Sequence, residues 1–307
     1  MTPPGRRASR PLWRDGFIET NGVRLHYVTQ GSGPLMLFLH GFPDFWFSWR
    51  HQIPEFAIDH RVVALDMRGY NDSEKPPARS AYGIDQLVGD VAGVIETMGG
   101  GKATLVGHDW GGAVAWATAN ARPELLDRLI VMNMPHPALF IKALRRPKQL
   151  LRSWYILLFQ LPVVPELMLT ANNAEAVAQI FRRSLVDSAA ITTAELDRYR
   201  RAMLKPGAAR AQLNYYRNVV TGGLGRRYSV LEMPTLLLWA EEDRVLGQDL
   251  IEGTEMYVRN LTVRRVPDCG HFVQQEKPLL VNAEIRSWLA ANAAGSRNRR
   301  RRRGSSK

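Results

Sequence analysis

The chain of 307 residues contains a single cysteine, Cys269. One thiol excludes an internal disulfide, and it also excludes a metal site built from clustered thiolates. We therefore expect Cys269 to serve in side-chain packing. The sequence predicts a protein that works without a metal or a cofactor.

Long apolar runs are also absent, since no stretch approaches the roughly 20 uninterrupted apolar residues that a membrane span needs. The run over residues 150–164 is interrupted by Arg152, Gln160 and Pro162. We interpret it as a buried or lid segment, with peripheral membrane contact as the less favoured alternative. Basic residues near the N-terminus have no apolar stretch behind them, unlike a secretory signal. A cytoplasmic location is therefore expected.

Acidic residues are absent from both ends of the chain, which explains most of the net charge of +12. Residues 295–307 carry seven basic side chains and residues 1–14 carry four, which leaves about +1 for the rest. We predict a flexible basic N-terminus over 1–14 and a disordered arginine-rich tail over 295–307. We expect a solvated tail without a dedicated role, with nonspecific contact to RNA or acidic lipid as the alternative. No recognition motif accompanies it, so no specific nucleic-acid partner is predicted.

Short β-rich apolar runs alternate with longer amphipathic stretches, a pattern typical of an α/β protein with a mostly parallel central sheet flanked by helices. An Asn21-Gly22 dipeptide suits a tight hairpin turn and predicts that the sheet begins with antiparallel strands. The predicted strands lie at residues 16–20, 23–29, 35–40, 61–66, 103–108, 129–133, 235–240 and 261–266.

The strand pattern disappears between about residues 135 and 226, where apolar residues recur at helical spacing around 174–185 and 194–204. We predict a helical cap over 135–226, inserted between core segments 15–134 and 227–294. The insertion follows one strand and precedes another, so the cap would cover the carboxyl ends of the strands. Ligands bind at this edge in open α/β sheets.

The segment from Gly107 to Gly111 matches the nucleophile elbow G-x-S-x-G, a strained turn that lifts its middle side chain above the sheet. The middle residue here is Asp109. A carboxylate attacks an sp³ carbon to give an alkyl ester, whereas serine suits acyl carbons. The sequence therefore favours opening of epoxides or displacement of halide over ester hydrolysis. His108, which precedes Asp109, is expected to be structural.

Hydrolysis of an ester on Asp109 needs a general base with an orienting partner. His271 follows the last predicted strand, and Asp243 follows the strand before it, in the order nucleophile, acid, histidine. Glu241 and Glu242 on the same loop are rival acids. Asp243 is preferred for its position at the edge of the sheet.

An oxyanion forms when water attacks the ester, so backbone N–H groups should face Asp109. The elbow supplies the N–H of Trp110, and the loop after an early strand supplies that of Phe42. The same loop contributes His40 and Pro43 as candidate substrate-binding residues.

The complete set of motifs closely resembles the epoxide hydrolase family of the α/β-hydrolase fold, in its aspartate-nucleophile branch. HGFPDFWFSWR, DMRGYNDSEKP, GHDWGG, AEEDRVLG and DCGHFVQQEKP stand in the family's order, and the resemblance covers residues 16–289. It implies two cap tyrosines that bind the epoxide oxygen and protonate it. Tyr155 and Tyr216 match those surroundings.

The resemblance further implies that Asp109 opens the ring and that water, activated by His271 and Asp243, releases a vicinal diol. Trp154 and Phe159 in the cap suggest an apolar pocket for a small apolar epoxide. Lipid epoxides, aromatic epoxides and the detoxification of xenobiotics all remain open as substrates or roles. A homodimer also remains open.

Three alternatives share parts of this pattern. A haloalkane dehalogenase would use the same nucleophile, with the Trp110 indole as a halide donor. A haloacid dehalogenase needs arginines near the nucleophile, where Trp110 and Ala113 stand, so this variant is disfavoured. A noncatalytic small-molecule binder is disfavoured by the intact nucleophile, acid and base.

Overall fold

The computed structural model describes residues 13–219 and 227–304. Most of the predicted N-terminal segment, the final part of the predicted cap and residues 305–307 of the predicted tail lie outside these ranges. The element bounds below are those of the described chain.

The centre of the molecule is a twisted sheet in the order β1-β2-β4-β3-β5-β6-β7-β8. β2 pairs antiparallel with β1 and β4, while the remaining pairs are parallel. Positive φ values at Asn21 (49°) and Gly22 (71°) fit the predicted hairpin turn. The strands are β1 (Arg14–Thr20), β2 (Val23–Gln30), β3 (Leu35–Leu39), β4 (Arg61–Leu65), β5 (Ala103–His108), β6 (Leu126–Met132), β7 (Thr235–Ala240) and β8 (Leu261–Val266).

Helices cover both faces of this sheet, and those between β6 and β7 form the cap. The α-helices are α1 (Gln52–Phe56), α2 (Ile84–Met98), α3 (Trp110–Ala121), α4 (Pro137–Ala143), α5 (Pro147–Arg152), α6 (Trp154–Leu158), α7 (Val164–Ser184), α8 (Thr193–Met203), α9 (Ala208–Asn218), α10 (Val273–Glu276) and α11 (Pro278–Gly304). Every side chain of β3, β5 and β7 is buried, as expected for strands covered on both faces. The predicted fold class, a mostly parallel sheet flanked by helices, is confirmed.

Two cap helices lie close to the predicted positions. α8 starts one residue before the predicted 194–204 helix, at a capping box in which Thr192 and Glu195 bond each other's backbone N–H. α7 begins well before the predicted 174–185 helix. It contains a break at residues 171–174, where Asn172, Asn173 and Ala174 have positive φ. The helical spacing seen in the sequence belongs to the part of α7 after this break.

The C-terminal segment differs from its prediction. α11 continues to Gly304, whereas the sequence predicted a disordered tail from residue 295. Arginine has a high intrinsic helix propensity, and no proline follows Pro278, so the backbone continues the helix that precedes it. Within the described residues, no helix is both long enough and apolar enough to cross a membrane.

A buried polar network joins the cap to the core beside α10. The Arg50 guanidinium donates from Nε to Glu195 of α8 (2.7 Å) and from Nη1 to Oε1 of Gln275 (2.7 Å). The Tyr199 hydroxyl donates to the same Gln275 oxygen (2.6 Å), and the Gln275 amide donates to Asp44 (3.1 Å). This network fixes α8 against the loops that follow β3 and β8.

Candidate active site

Asp109 occupies the sharp turn between β5 and α3. Its backbone, with φ 49° and ψ −121°, adopts a conformation that is strained for a residue with a side chain. A Cβ atom at Gly111 would collide with the carbonyl of Leu39, so glycine permits the close approach of α3 to β3. The turn lifts the Asp109 carboxylate above the carboxyl ends of the strands, as the elbow motif predicts.

The loop after β3 places one backbone donor on this carboxylate. The N–H of Phe42 donates to Oδ1 of Asp109 at 2.8 Å. A Cβ at Gly41 would lie 2.5 Å from the same Oδ1, so this approach also requires glycine. Trp110, the other expected donor, is the first residue of α3 and follows Asp109 directly. Phe42 therefore lies where an oxyanion donor is expected.

His271 lies between two carboxylates. Its Nδ1 is 2.7 Å from Oδ2 of Asp243, and its Nε2 is 3.6 Å from Oδ2 of Asp109. The short contact to Asp243 is a hydrogen bond that holds the proton on Nδ1 and directs Nε2 towards Asp109. The rival acids lie elsewhere: Glu241 is 3.9 Å from Arg265 and Glu242 is exposed.

Asp243 is itself fixed by four hydrogen-bond donors. The backbone N–H groups of Val245 and Leu246 donate to Oδ1 at 2.7 and 3.0 Å. The Asn133 amide donates to Oδ2 at 2.7 Å, and its own oxygen accepts from the N–H of Ala240. The sequence analysis did not single out Asn133. Its position directly after β6, beside the end of β7, is the signal that would have identified it.

The protonation of these groups follows from burial and from their mutual charges. Burial alone lowers the pKa of His271, but the Asp243 carboxylate and the nearby Asp109 outweigh it and raise that pKa above its ordinary value. Burial raises the pKa of Asp109, but His271 and the Phe42 N–H outweigh it and lower that pKa. Asp109 is therefore ionised at neutral pH, paired with a protonated His271.

The backbone on both sides of His271 is anchored. Its N–H donates to the carbonyl of Ser184 at the end of α7 (2.8 Å), which joins the catalytic loop to the cap. Its carbonyl lies 2.8 Å from Nε2 of His108. Burial lowers the pKa of His108 to about 4, so this ring is neutral and holds the loop. The structural role expected for His108 agrees with this arrangement, and neighbouring Cys269 is fully buried.

Two cap tyrosines line the same cavity as Asp109. The rings of Tyr155 and Tyr216 lie 5.8 Å apart, and Tyr216 packs edge-on against Phe42 (5.3 Å) and Trp110 (5.1 Å). Burial, with the negative charge of Asp109, raises the pKa of both phenols far above the ordinary tyrosine value. Both phenols therefore stay protonated at neutral pH.

A cavity of about 510 Å³ separates these tyrosines from Asp109 and His271. Its lining is mostly apolar and includes Trp154 and Phe159, both predicted as substrate-binding residues. One face of α7 completes the wall with residues that the sequence analysis did not identify. Their helical spacing was visible in the sequence. The residues are Ala176, Gln179, Ile180, Arg183 and Ser184.

His40 and Pro43 do not belong to the described lining of this cavity, and their contact with a substrate stays a prediction. His40 is fully buried. Its Nδ1 lies 2.8 Å from the Gly41 carbonyl oxygen, and its Nε2 accepts a hydrogen bond from the Met67 N–H (3.0 Å). Both ring nitrogens are therefore used to hold neighbouring loops. Pro43 is buried in the turn that presents Phe42.

Comparison with known proteins places this geometry in a family. A family model described as the alpha/beta hydrolase fold matches residues 34–278. Epoxide hydrolase 4 of Mus musculus is 40% identical over 282 residues, which cover 89% of this chain and 78% of that protein. The AB hydrolase superfamily protein YfhM of Bacillus subtilis is 41% identical over 278 residues, covering 89% and 96%.

The solved structures show the same similarity. The crystal structure of Bacillus megaterium epoxide hydrolase in complex with an inhibitor aligns with a TM-score of 0.84 at 38% identity, covering 90% of this chain and all of that one. Similarity of this extent, in sequence and in structure, identifies a family and not only a fold. The chain belongs to the epoxide hydrolase family of the α/β-hydrolase fold.

Proposed function

We propose that this protein hydrolyses epoxides to vicinal diols through a covalent alkyl ester on Asp109. The observation that carries the proposal is the arrangement around one cavity: an ionised carboxylate at a nucleophile elbow, a histidine–aspartate pair beside it and two protonated phenols opposite. The names of the most similar relatives, which are called epoxide hydrolases, support the same reaction.

The two oxygens of Asp109 have different roles in this proposal. Oδ1 is bound by the Phe42 N–H, whereas Oδ2 has the longer 3.6 Å contact with His271 and attacks the ring carbon. A bond forms between Oδ2 and that carbon while the carbon–oxygen bond of the ring breaks. Tyr155 or Tyr216 gives its proton to the leaving oxygen. Such assistance is needed because an alkoxide is a poor leaving group.

Hydrolysis of the ester uses the core residues. His271 takes a proton from water, and the hydroxide adds to the ester carbonyl carbon of Asp109. The negative charge that develops on Oδ1 is stabilised by the N–H of Phe42, already 2.8 Å away, and by the expected donor on Trp110. The intermediate expels the diol oxygen, which takes the proton from His271, and the proton of the regenerated carboxyl group returns to the tyrosine.

Ester formation also prepares the base. In the free enzyme, Asp109 and Asp243 both raise the pKa of His271. The ester removes the charge of Asp109, so that pKa falls and His271 loses its proton more readily. Formation of the ester thus removes one of the two charges that keep His271 protonated. Hydrolysis of the ester, which needs neutral His271, comes after it.

Chromatographic detection of diol from styrene oxide, stilbene oxide and a fatty-acid epoxide tests the proposal, with Asp109→Ala as the control. The proposal is supported if wild type forms a diol and Asp109→Ala does not. It is contradicted if wild type forms no diol from any of the three epoxides. A parallel assay measures halide release from 1-bromobutane. Halide without diol would favour a haloalkane dehalogenase, although Trp110, its expected halide donor, is not in the described cavity lining.

A further inference from the structure

We propose that the outer surface of the cap binds an anionic lipid membrane, with the mouth of the cavity facing the lipid. We call this surface the cap face. It consists of exposed apolar side chains on α5, α6, the start of α7 and the segments between them. These residues are Leu150, Leu151, Trp154, Leu157, Leu161, Val163, Val164, Leu167 and Met168.

Exposed hydrophobic side chains are concentrated in this one segment. More than half of the large hydrophobic residues exposed in the described chain fall within residues 150–168. The exposed fraction is 74% for Leu151, 60% for Trp154, 61% for Leu157 and 62% for Leu167. Single exposed hydrophobic residues are common, but their concentration in one short segment is the basis for inferring a surface that binds another apolar phase.

Basic residues outnumber acidic ones around the cap face. No acidic residue occurs between Asp127 and Glu166, while residues 135–165 contain five basic ones. Arg145 is exposed beside α5, and Arg146, also exposed, lies 3.5 Å from Asp249. Glu166 does not offset this charge at the surface, because it pairs with the buried guanidinium of Arg217 at 2.8 Å. Apolar residues beside basic ones are typical of segments that lie in the membrane interface.

This charge distribution distinguishes lipid from a second copy of the chain. A symmetric dimer through the cap face would place the same basic segment of each copy against the other, at a cost in electrostatic repulsion. Anionic headgroups instead complement it. Because no described helix is both long enough and apolar enough to cross a bilayer, we infer a contact with the surface of the membrane.

The cavity opens within the cap face. Trp154 and Met168 belong to both, since they line the cavity while 60% and 49% of their surface is exposed. The opposite end of the cavity is formed by Asp109 and His271. If the proposed epoxide hydrolysis is correct, an apolar substrate dissolved in lipid would reach the nucleophile without crossing bulk water. Membrane binding itself does not depend on that activity.

Co-sedimentation of the full chain with vesicles of phosphatidylcholine, with or without phosphatidylglycerol, tests the proposal. Every protein compared keeps the arginine-rich C-terminal residues, so their nonspecific attraction to the vesicles contributes equally to each measurement. The cap-face variant replaces three exposed leucines outside the cavity lining, and a control variant replaces three exposed apolar residues elsewhere. The cap-face variant carries Leu151→Gln, Leu157→Gln and Leu167→Gln. The control variant carries Ile58→Gln, Val230→Gln and Leu279→Gln.

We expect the cap-face variant to partition about tenfold more weakly than wild type into phosphatidylglycerol vesicles, with the control unchanged. Equal binding by the two variants, or no binding by wild type, overturns the proposal. So does a wild-type dimer in analytical ultracentrifugation that the cap-face variant dissociates while vesicle binding is unchanged. Diol formation in vesicle-free buffer is measured for both variants, so that loss of membrane binding is distinguished from failure of the proposed function.

Discussion

The two halves of the site are held in different ways. On the core side, hydrogen bonds fix each reacting group: the Phe42 N–H on Asp109, and Asn133 with two backbone N–H groups on Asp243. On the cap side, Tyr155 and Tyr216 are positioned mainly by edge-on packing of aromatic rings. In the proposed mechanism, the core supplies the nucleophile and the base, while the cap supplies shape and proton donors.

A few hydrogen bonds join the core side of the site to the cap side, and they determine how far a substitution on one side affects the other. The Ser184 carbonyl of α7 accepts the His271 N–H, so a cap helix holds the base of the core. The network of Arg50, Gln275 and Tyr199 joins α8 to the helix that follows His271. Substitutions on each side should therefore affect different steps of the reaction, provided that these contacts are kept.

The largest effect is expected for His271→Gln, which removes the base but leaves the nucleophile. Steady-state diol formation should fall at least about 1000-fold, as for loss of a residue that acts within a catalytic triad. Alkylation of Asp109 should continue, so intact mass spectrometry after mixing with styrene oxide should show one added epoxide mass.

The exposed His51→Gln serves as a matched control, since the same change far from the cavity should leave turnover unchanged. Steady turnover by His271→Gln, or the absence of an adduct when diol formation is lost, would contradict the division of roles between Asp109 and His271.

A smaller effect is expected on the cap side. Tyr155→Phe and Tyr216→Phe should each slow alkylation by about 10- to 100-fold, since they remove one of two proton donors. Hydrolysis of an ester already formed should be unchanged in both. Because burial raises the pKa of both phenols far above the ordinary value, the alkylation rate should show no loss from phenol ionisation up to about pH 9.

Tyr215→Phe is the matched control. Its phenol donates to the carbonyl of Arg68 and is outside the described cavity lining, so its loss should affect stability and leave alkylation unchanged. Alkylation at the wild-type rate in the Tyr155→Phe/Tyr216→Phe double variant would exclude the phenols as proton donors. Rapid-quench single turnovers separate the two steps.

The sequence predicted the core side better than the cap side, for a physical reason. Asp109 follows β5 directly, and Asp243 and His271 lie in the loops after β7 and β8, so strand order brings all three to one edge of the sheet. The wall formed by α7 depends on how a helix packs over the cavity, which its helical spacing does not specify. The break before that helix was also unpredictable, because three non-glycine residues adopt positive φ there.

The loop after β3 shows the same limit. His40 and Pro43 lie near Phe42 in sequence but are outside the described cavity lining, whereas the Phe42 N–H donates to Asp109. A motif specifies the residues of a turn, and the packing of neighbouring loops decides which of them reach the cavity. Asn133 shows the converse, since no motif marks it although its position at the end of β6 brings it to Asp243.

Asn133→Ala should have an intermediate effect and should act on one step. Losing its hydrogen bond leaves Asp243 less well oriented and raises its pKa towards the ordinary value. We expect hydrolysis of the ester to slow by about tenfold, with alkylation nearly unchanged. Decay of the adduct after a single turnover measures this, with Asn120→Ala, which is half-buried and outside the described cavity lining, as control. Equal slowing of both steps would show that Asn133 supports the fold of the site instead.

The smallest effect concerns the network that joins the halves. Burial raises the pKa of Asp44 from its ordinary 3.8 to about 7. Between these values the folded protein holds a proton that the unfolded chain has lost, so the free energy of unfolding should fall as pH rises through this window. Asp44→Asn removes that titration. The substituted amide also accepts the hydrogen bond from the Gln275 amide less well than the carboxyl group does, which lowers stability at every pH.

We therefore expect Tm to depend on pH more steeply in wild type than in Asp44→Asn. Between about pH 5 and about pH 8, the Tm of wild type should fall by a few degrees more than that of Asp44→Asn. Differential scanning fluorimetry measures both, with the exposed Asp127→Asn as a control that should keep the wild-type slope. Parallel curves for wild type and Asp44→Asn would mean that Asp44 is already ionised at pH 5. The junction between cap and core would then hold a buried negative charge that the Arg50 guanidinium balances, and its strength would not depend on pH in this range.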